Sequence, residues 1–106
     1  MGYKSSMFEV RQTASFRTWL AGLKDIRARA RVAVRIDRLA EGLFGDAKAV
    51  GGGVSELRID YGPGYRLYFV RRGDRMVLLL AGGDKSSQAR DIRRAKALAE
   101  EDDNAS

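Results

Sequence analysis

With 106 residues the chain has room for a single folded domain, 1–106, around one core. It contains no cysteine and no histidine, which excludes a disulfide scaffold, a thiol nucleophile, and the commonest general base and transition-metal ligand. Lys and Arg number 20 against 14 Asp and Glu, and four of those acids fall at 100–103, so residues 1–99 carry 20 cations against 10 acids, a net +10 that draws polyanions.

No apolar run is long enough to cross a bilayer, and no signal-peptide core follows the polar opening 1–6. A cytoplasmic protein with no membrane partner is expected, with 1–6 and 101–106 disordered. Residues 7–12 alternate, Phe8 and Val10 sharing a side, which predicts a first strand. Thr13 is an N-cap, and Phe16, Trp19, Leu20 and Leu23 fall at helical spacing behind it. Asp25 opens a longer helix to about Leu43, its apolar face read as Ile26, Ala33, Ile36, Ala40 and Leu43, joined by Val32 and Leu39. Lys24, Arg27, Arg31, Arg35 and Arg38 recur at intervals of 3, 4, 4 and 3, a cationic line roughly opposite that face.

The glycine-rich stretch 45–53 reads as a flexible connector; no Lys-Ser/Thr follows to make it a phosphate-binding loop. Residues 54–61 alternate strictly, Leu57, Ile59 and Tyr61 against Glu56, Arg58 and Asp60. A turn at 62–64, a strand over 65–71, a second turn, and a strongly apolar strand over 75–83 complete a meander. A last helix over 87–100, mostly alanine on its apolar side, is expected to dock weakly and end frayed. The predicted fold class is α+β: an antiparallel sheet of about four strands with an N-terminal helical hairpin and a C-terminal helix, in the order β-α-α-β-β-β-α.

Four cations are candidates for chemistry. Arg58 and Arg66 lie on strands joined by a turn and point away from the apolar faces, so hairpin pairing brings them together. Lys85 ends the next strand within reach, and Lys48 sits in the loop just before the meander. Like charges gathered around one hollow are costly unless an anion occupies it. The alternative is an ordinary charged sheet face, with Glu56 and Asp60 as internal partners. The line Lys24, Arg27, Arg31, Arg35 and Arg38 would track a nucleic-acid backbone, and Tyr68, facing as Arg66 does, would stack on a base. Glu56 and Asp60 are too far apart for a shared ion, so neither metal nor cofactor is expected.

The stretch Glu56 to Gln88 resembles the signature of the addiction-module killer proteins, the phage-derived, Gp49-like and HigB-like branch of the RelE/ParE toxin superfamily. The motifs are Leu57-Arg58, Gly64-Tyr65-Arg66, the run Val77 to Leu80, and Gly82-Gly83-Asp84-Lys85-Ser86. Phe8 to Asp25 and the Arg38 to Gly42 helix ending fit the same pattern, so the resemblance spans about residues 7–95. It implies a RelE-like fold and a toxin neutralised by a co-encoded antitoxin, a small helix-turn-helix or acidic protein, through which operator DNA would also be bound. It implies a ribosome-dependent, metal-independent mRNA endonuclease that arrests translation. On that pattern Arg66 would hold the scissile phosphate, Arg58 would support it, and Lys85 or Lys48 would move protons. The chain departs from the pattern in having neither Tyr nor His after Lys85. Two rival readings stay open: a ParE-like gyrase poison without nuclease activity, and an inactive antitoxin-binding module.

Overall fold

The computed structural model describes residues 7–105. Strand β1 (Glu9–Gln12) passes into helix α1 (Ala14–Gly22) through Thr13, whose hydroxyl accepts from the Phe16 N–H. Asp25 caps α2 (Ile26–Ala40) by accepting from the Arg27 and Ala28 N–H groups, satisfying donors that no helical carbonyl reaches. Strands β2 (Ala47–Gly51), β3 (Val54–Ile59), β4 (Tyr65–Arg72) and β5 (Met76–Asp84) follow. A single 3-10 turn, Lys85–Ser87, then leads into α3 (Gln88–Ala105). The sheet order is β1-β5-β4-β3-β2.

The α+β class and the overall order stand, with specific corrections. The sheet has five strands and is mixed, because β1 runs parallel to β5 while every other neighbouring pair is antiparallel. The expected connector at 45–53 contains β2. Gly52 and Gly53, at φ 63° and 79°, form a two-residue hairpin turn of the kind that needs left-handed backbone at both positions. Helix α3 does not end frayed near 100 but continues to Ala105, because Arg72 donates to the Ala99 carbonyl (2.7 Å) and the Asp102 carboxylate (3.0 Å). The expected disorder at 1–6 and at 106 falls outside the described residues.

Every inner strand is buried on both faces, which explains its apolar runs. One face packs Leu57, Ile59, Leu67, Phe69, Val77 and Leu79 against Phe16 of α1 and Val32 and Leu39 of α2. The other packs Val54, Tyr68, Val70, Leu78 and Leu80 against Ala95 and Ala99 of α3. Glycine is required where α1 crosses β5: a Cβ on Gly82 would run into the Trp19 ring. The buried stripe of α2 is Ala28, Val32 and Leu39, whereas Ile26, Ala33 and Leu43 are exposed. The cationic line therefore borders the packed face of α2 and does not lie opposite it.

Candidate nucleic-acid interface

Arg58 of β3 and Arg66 of β4 are register partners, and Gly83 of β5 lies on the far side of Arg66. The row ends beside the turn at 62–64. There Arg58, Arg66 and Lys85 line one hollow of about 400 Å³ with Asp46 and Asp60. Gly83 offers no side chain, and the space is taken by the carboxylate of Asp91 from α3. Lys85 opens the turn that Asp84 caps through the Ser86 N–H and hydroxyl, and the Ser86 hydroxyl bond is the chief reason the Asp84 carboxyl titrates below its usual range. Arg35 reaches across from α2 to donate to the Arg58 carbonyl at 3.1 Å, fixing the helix to this end of β3.

One row inward, Glu56 is completely buried beneath α3. Its Oε1 accepts from Arg66 Nη1 at 3.1 Å and Arg58 Nε at 3.4 Å. Its Oε2 accepts from Gln88 Nε2 at 2.7 Å and the Tyr68 hydroxyl at 3.2 Å. Burial alone would raise the Glu56 carboxyl, but the Gln88 bond, the Arg66 charge, and the Arg58 and Tyr68 bonds together hold it below the ordinary glutamate range. Two arginines directly opposite on adjacent strands repel each other, and the Glu56 charge offsets that repulsion.

The expected site residues are placed unequally. Arg58, Arg66 and Lys85 come together. Lys48 is exposed on β2 as the register partner of Glu56 and does not line the hollow. Tyr68 does face as Arg66 does, but α3 roofs that face; Tyr68 is fully buried, and burial first, then the Glu56 charge, raise its hydroxyl far above the usual tyrosine value. It cannot stack on a base. Arg27, Arg31, Arg35 and Arg38 line a groove of about 470 Å³ with Ala30 and Val34, and Ile59 and Asp60 border both groove and hollow. Lys24 precedes the Asp25 cap, so it is off the helix and outside the groove. Strand alternation gives Glu56 only as an internal ion partner, and its position two residues before Arg58 on the same strand face is the signal that marks it. Nothing local in the sequence pointed to Gln88, 32 residues away.

Residues 18–102 match the family described as "Phage derived protein Gp49-like (DUF891)". The chain belongs to this Gp49-like family. An uncharacterized protein of Haemophilus influenzae is 50% identical to the Gp49-like chain over 93 residues, covering 88% of it and 94% of the relative. Among solved structures, the Escherichia coli toxin RelE, a variant with two arginines replaced by alanine in the free state, superposes with a TM-score of 0.64. The match covers 84% of the Gp49-like chain and 97% of the toxin at 14% identity, so it establishes a RelE-like fold. Among the described residues no three His, Cys, Asp or Glu side chains gather to hold a metal, and no helix is long and apolar enough to cross a membrane.

Proposed function

We propose that this Gp49-like protein is the toxin of a type II toxin–antitoxin pair that cleaves mRNA on the ribosome without a metal ion. The observation that carries the reading is the convergence of Arg58, Arg66 and Lys85 on one hollow at the sheet end. Three cations there match a phosphodiester passing through a five-coordinate, doubly charged transition state. The RNA 2′-hydroxyl oxygen attacks the adjacent phosphorus, and the bond to the 5′ oxygen breaks, leaving a 2′,3′-cyclic phosphate. The 2′-hydroxyl proton passes to water, and Lys85 donates a proton to the departing 5′ oxygen and recovers one from solvent. Arg66 and Arg58 donate to the non-bridging oxygens. The arginine groove on α2 runs on from the hollow and suits the flanking backbone. Lys48, one row away on β2, is left a contact to a neighbouring phosphate. Before release, the same basic groove suits an acidic helix of the antitoxin, through which operator DNA would be reached.

The test is cell-free translation with mapping of mRNA ends. Wild type stops translation and leaves cut messages; Arg66→Ala lowers the cleavage rate by about 10² to 10³, the usual cost of losing one preorganised donor to a developing charge. Arrest undiminished in that variant would remove Arg66 from the mechanism. A second reading rests on two observations: Glu56 already neutralises one arginine charge in the hollow, and no Tyr or His follows Lys85. A ParE-like gyrase inhibitor or an inactive antitoxin-binding module would need no reactive group there. Induction of the DNA-damage response with intact mRNA selects the first, and harmless expression without antitoxin selects the second.

A further inference from the structure

The two arginines of the hollow are held differently by the same carboxylate. The Arg66 side chain is 10% exposed and bonds Glu56 at 3.1 Å; Arg58 is 41% exposed and bonds the same oxygen at 3.4 Å. The other carboxylate oxygen is occupied by Tyr68 of the same strand as Arg66 and by Gln88 at the start of α3, the helix that follows Lys85. One buried negative charge thus joins both arginines and the segment carrying the lysine. We infer that Glu56 is the positioning residue of the hollow: it pins Arg66 as a fixed floor and holds Arg58 as a detachable arm that leaves it for an incoming phosphate.

The chemistry follows from competition for donors. A guanidinium that is buried and shares an oxygen with little solvent access has nowhere else to turn, so exchanging its partner is costly. An exposed guanidinium on a long bond loses little by turning to a phosphate, whose geometry matches its fork. Glu56 itself touches no substrate in this arrangement, since it lies a full row below the hollow and beneath α3. The inference rests on the phosphate reading of the hollow for the arm and is independent of it for the floor.

Glu56→Gln separates position from fold. The amide oxygen can still accept from the arginines, and its NH₂ can face Tyr68 and a flipped Gln88, so the bonds persist while the charge is lost. Arginine side-chain N–H signals, assigned by their loss in Arg58→Ala and Arg66→Ala, are followed by NMR in the free protein. They are followed again during titration with a single-stranded RNA whose riboses are 2′-O-methylated. In wild type the Arg66 Nη1 signal is protected from solvent exchange and keeps that protection on titration, while the Arg58 Nε signal, released from Glu56, shifts. In Glu56→Gln the Arg66 protection drops at least tenfold at a temperature well below the lowered melting point, where backbone amides of the inner strands stay protected, and RNA affinity rises a few-fold because a negative charge has gone. Where Glu56→Gln does not fold, Gln88→Ala replaces it, with Arg66 protection reduced several-fold. Unchanged Arg66 protection in the folded variant overturns the pinning. Loss of the Arg66 Nη1 protection on titration, to the same degree as that of Arg58 Nε, overturns the division of roles. If wild type binds no RNA, the phosphate reading and the detachable arm fall together, and the Arg66 exchange in the free protein still decides the pinning.

Discussion

At the scale of the residue, the buried Glu56 carboxylate couples folding to pH on the acid side. Its carboxyl titrates lower folded than unfolded, because four donors outweigh the cost of burial. A depressed carboxylate contributes stability that is fully present above its unfolded value, about 4.3 for glutamate. That contribution is lost as pH falls through the lower folded value. Thermal melts of wild type should therefore lose stability steeply from about pH 5 downward, the onset set by the unfolded glutamate value. Glu56→Gln, with nothing to titrate there, should show a shallower fall over the same window; Asp25 and Asp84, also depressed, supply the remaining slope. Parallel curves for the two proteins would mean that the Glu56 charge is not coupled to folding. Tyr68 illustrates what residue-level reading reaches and where it stops. Strand alternation placed it correctly on the Arg66 face, but alternation says nothing of what covers a face, and α3 covers this one.

Among the elements, α2 is fastened at its first turn. The Asp25 carboxylate caps two backbone N–H groups through Oδ1 and accepts the Tyr61 hydroxyl through Oδ2 at 3.0 Å, while Arg31 lies over the Tyr61 ring at 4.5 Å. Losing an N-cap costs about 1 kcal/mol, and in a domain this size that lowers the melting temperature by roughly 4–8 °C. Asp25→Ala should show at least that loss in a calorimetric scan, and Tyr61→Phe, which keeps the cap, a smaller one. Equal losses would place the whole effect in the tyrosine bond. The sequence of the same helix does not determine its orientation. Alanines and valines are scattered among its arginines, so several faces look equally apolar, and the sheet selects Ala28, Val32 and Leu39. The hairpin β3–β4 and the apolar β5 were legible because period-two alternation and the turn at 62–64 are strong local signals. Strand β2 was hidden because glycines that read as flexibility are what its tight turn requires. The parallel pairing of β1 with β5 joins segments more than 60 residues apart, beyond any local pattern.

Over the whole molecule, charge is segregated along the chain: the net +10 of residues 1–99 is followed by four acids that α3 carries at its C-terminal end. Acids are unfavourable there, because the helix already ends in unsatisfied carbonyls and a partial negative charge. Arg72 offsets part of that cost by bridging to Asp102 and the Ala99 carbonyl. The acidic end lowers the long-range attraction of the molecule for RNA without entering the hollow or the α2 groove. Glu100→Gln/Glu101→Gln raises the net charge from +6 to +8 and leaves the Arg72 bridge in place. Association with single-stranded RNA in stopped flow should then be a few-fold faster at low ionic strength. The gain should vanish as salt shortens the screening length to roughly 10 Å at 0.1 M and below that at higher concentration. The dissociation rate should hardly change, because short-range contacts in the hollow govern release. A double variant that altered dissociation and left association untouched would show the acids acting on the bound state. The steering field would then belong to the arginine groove and the hollow alone.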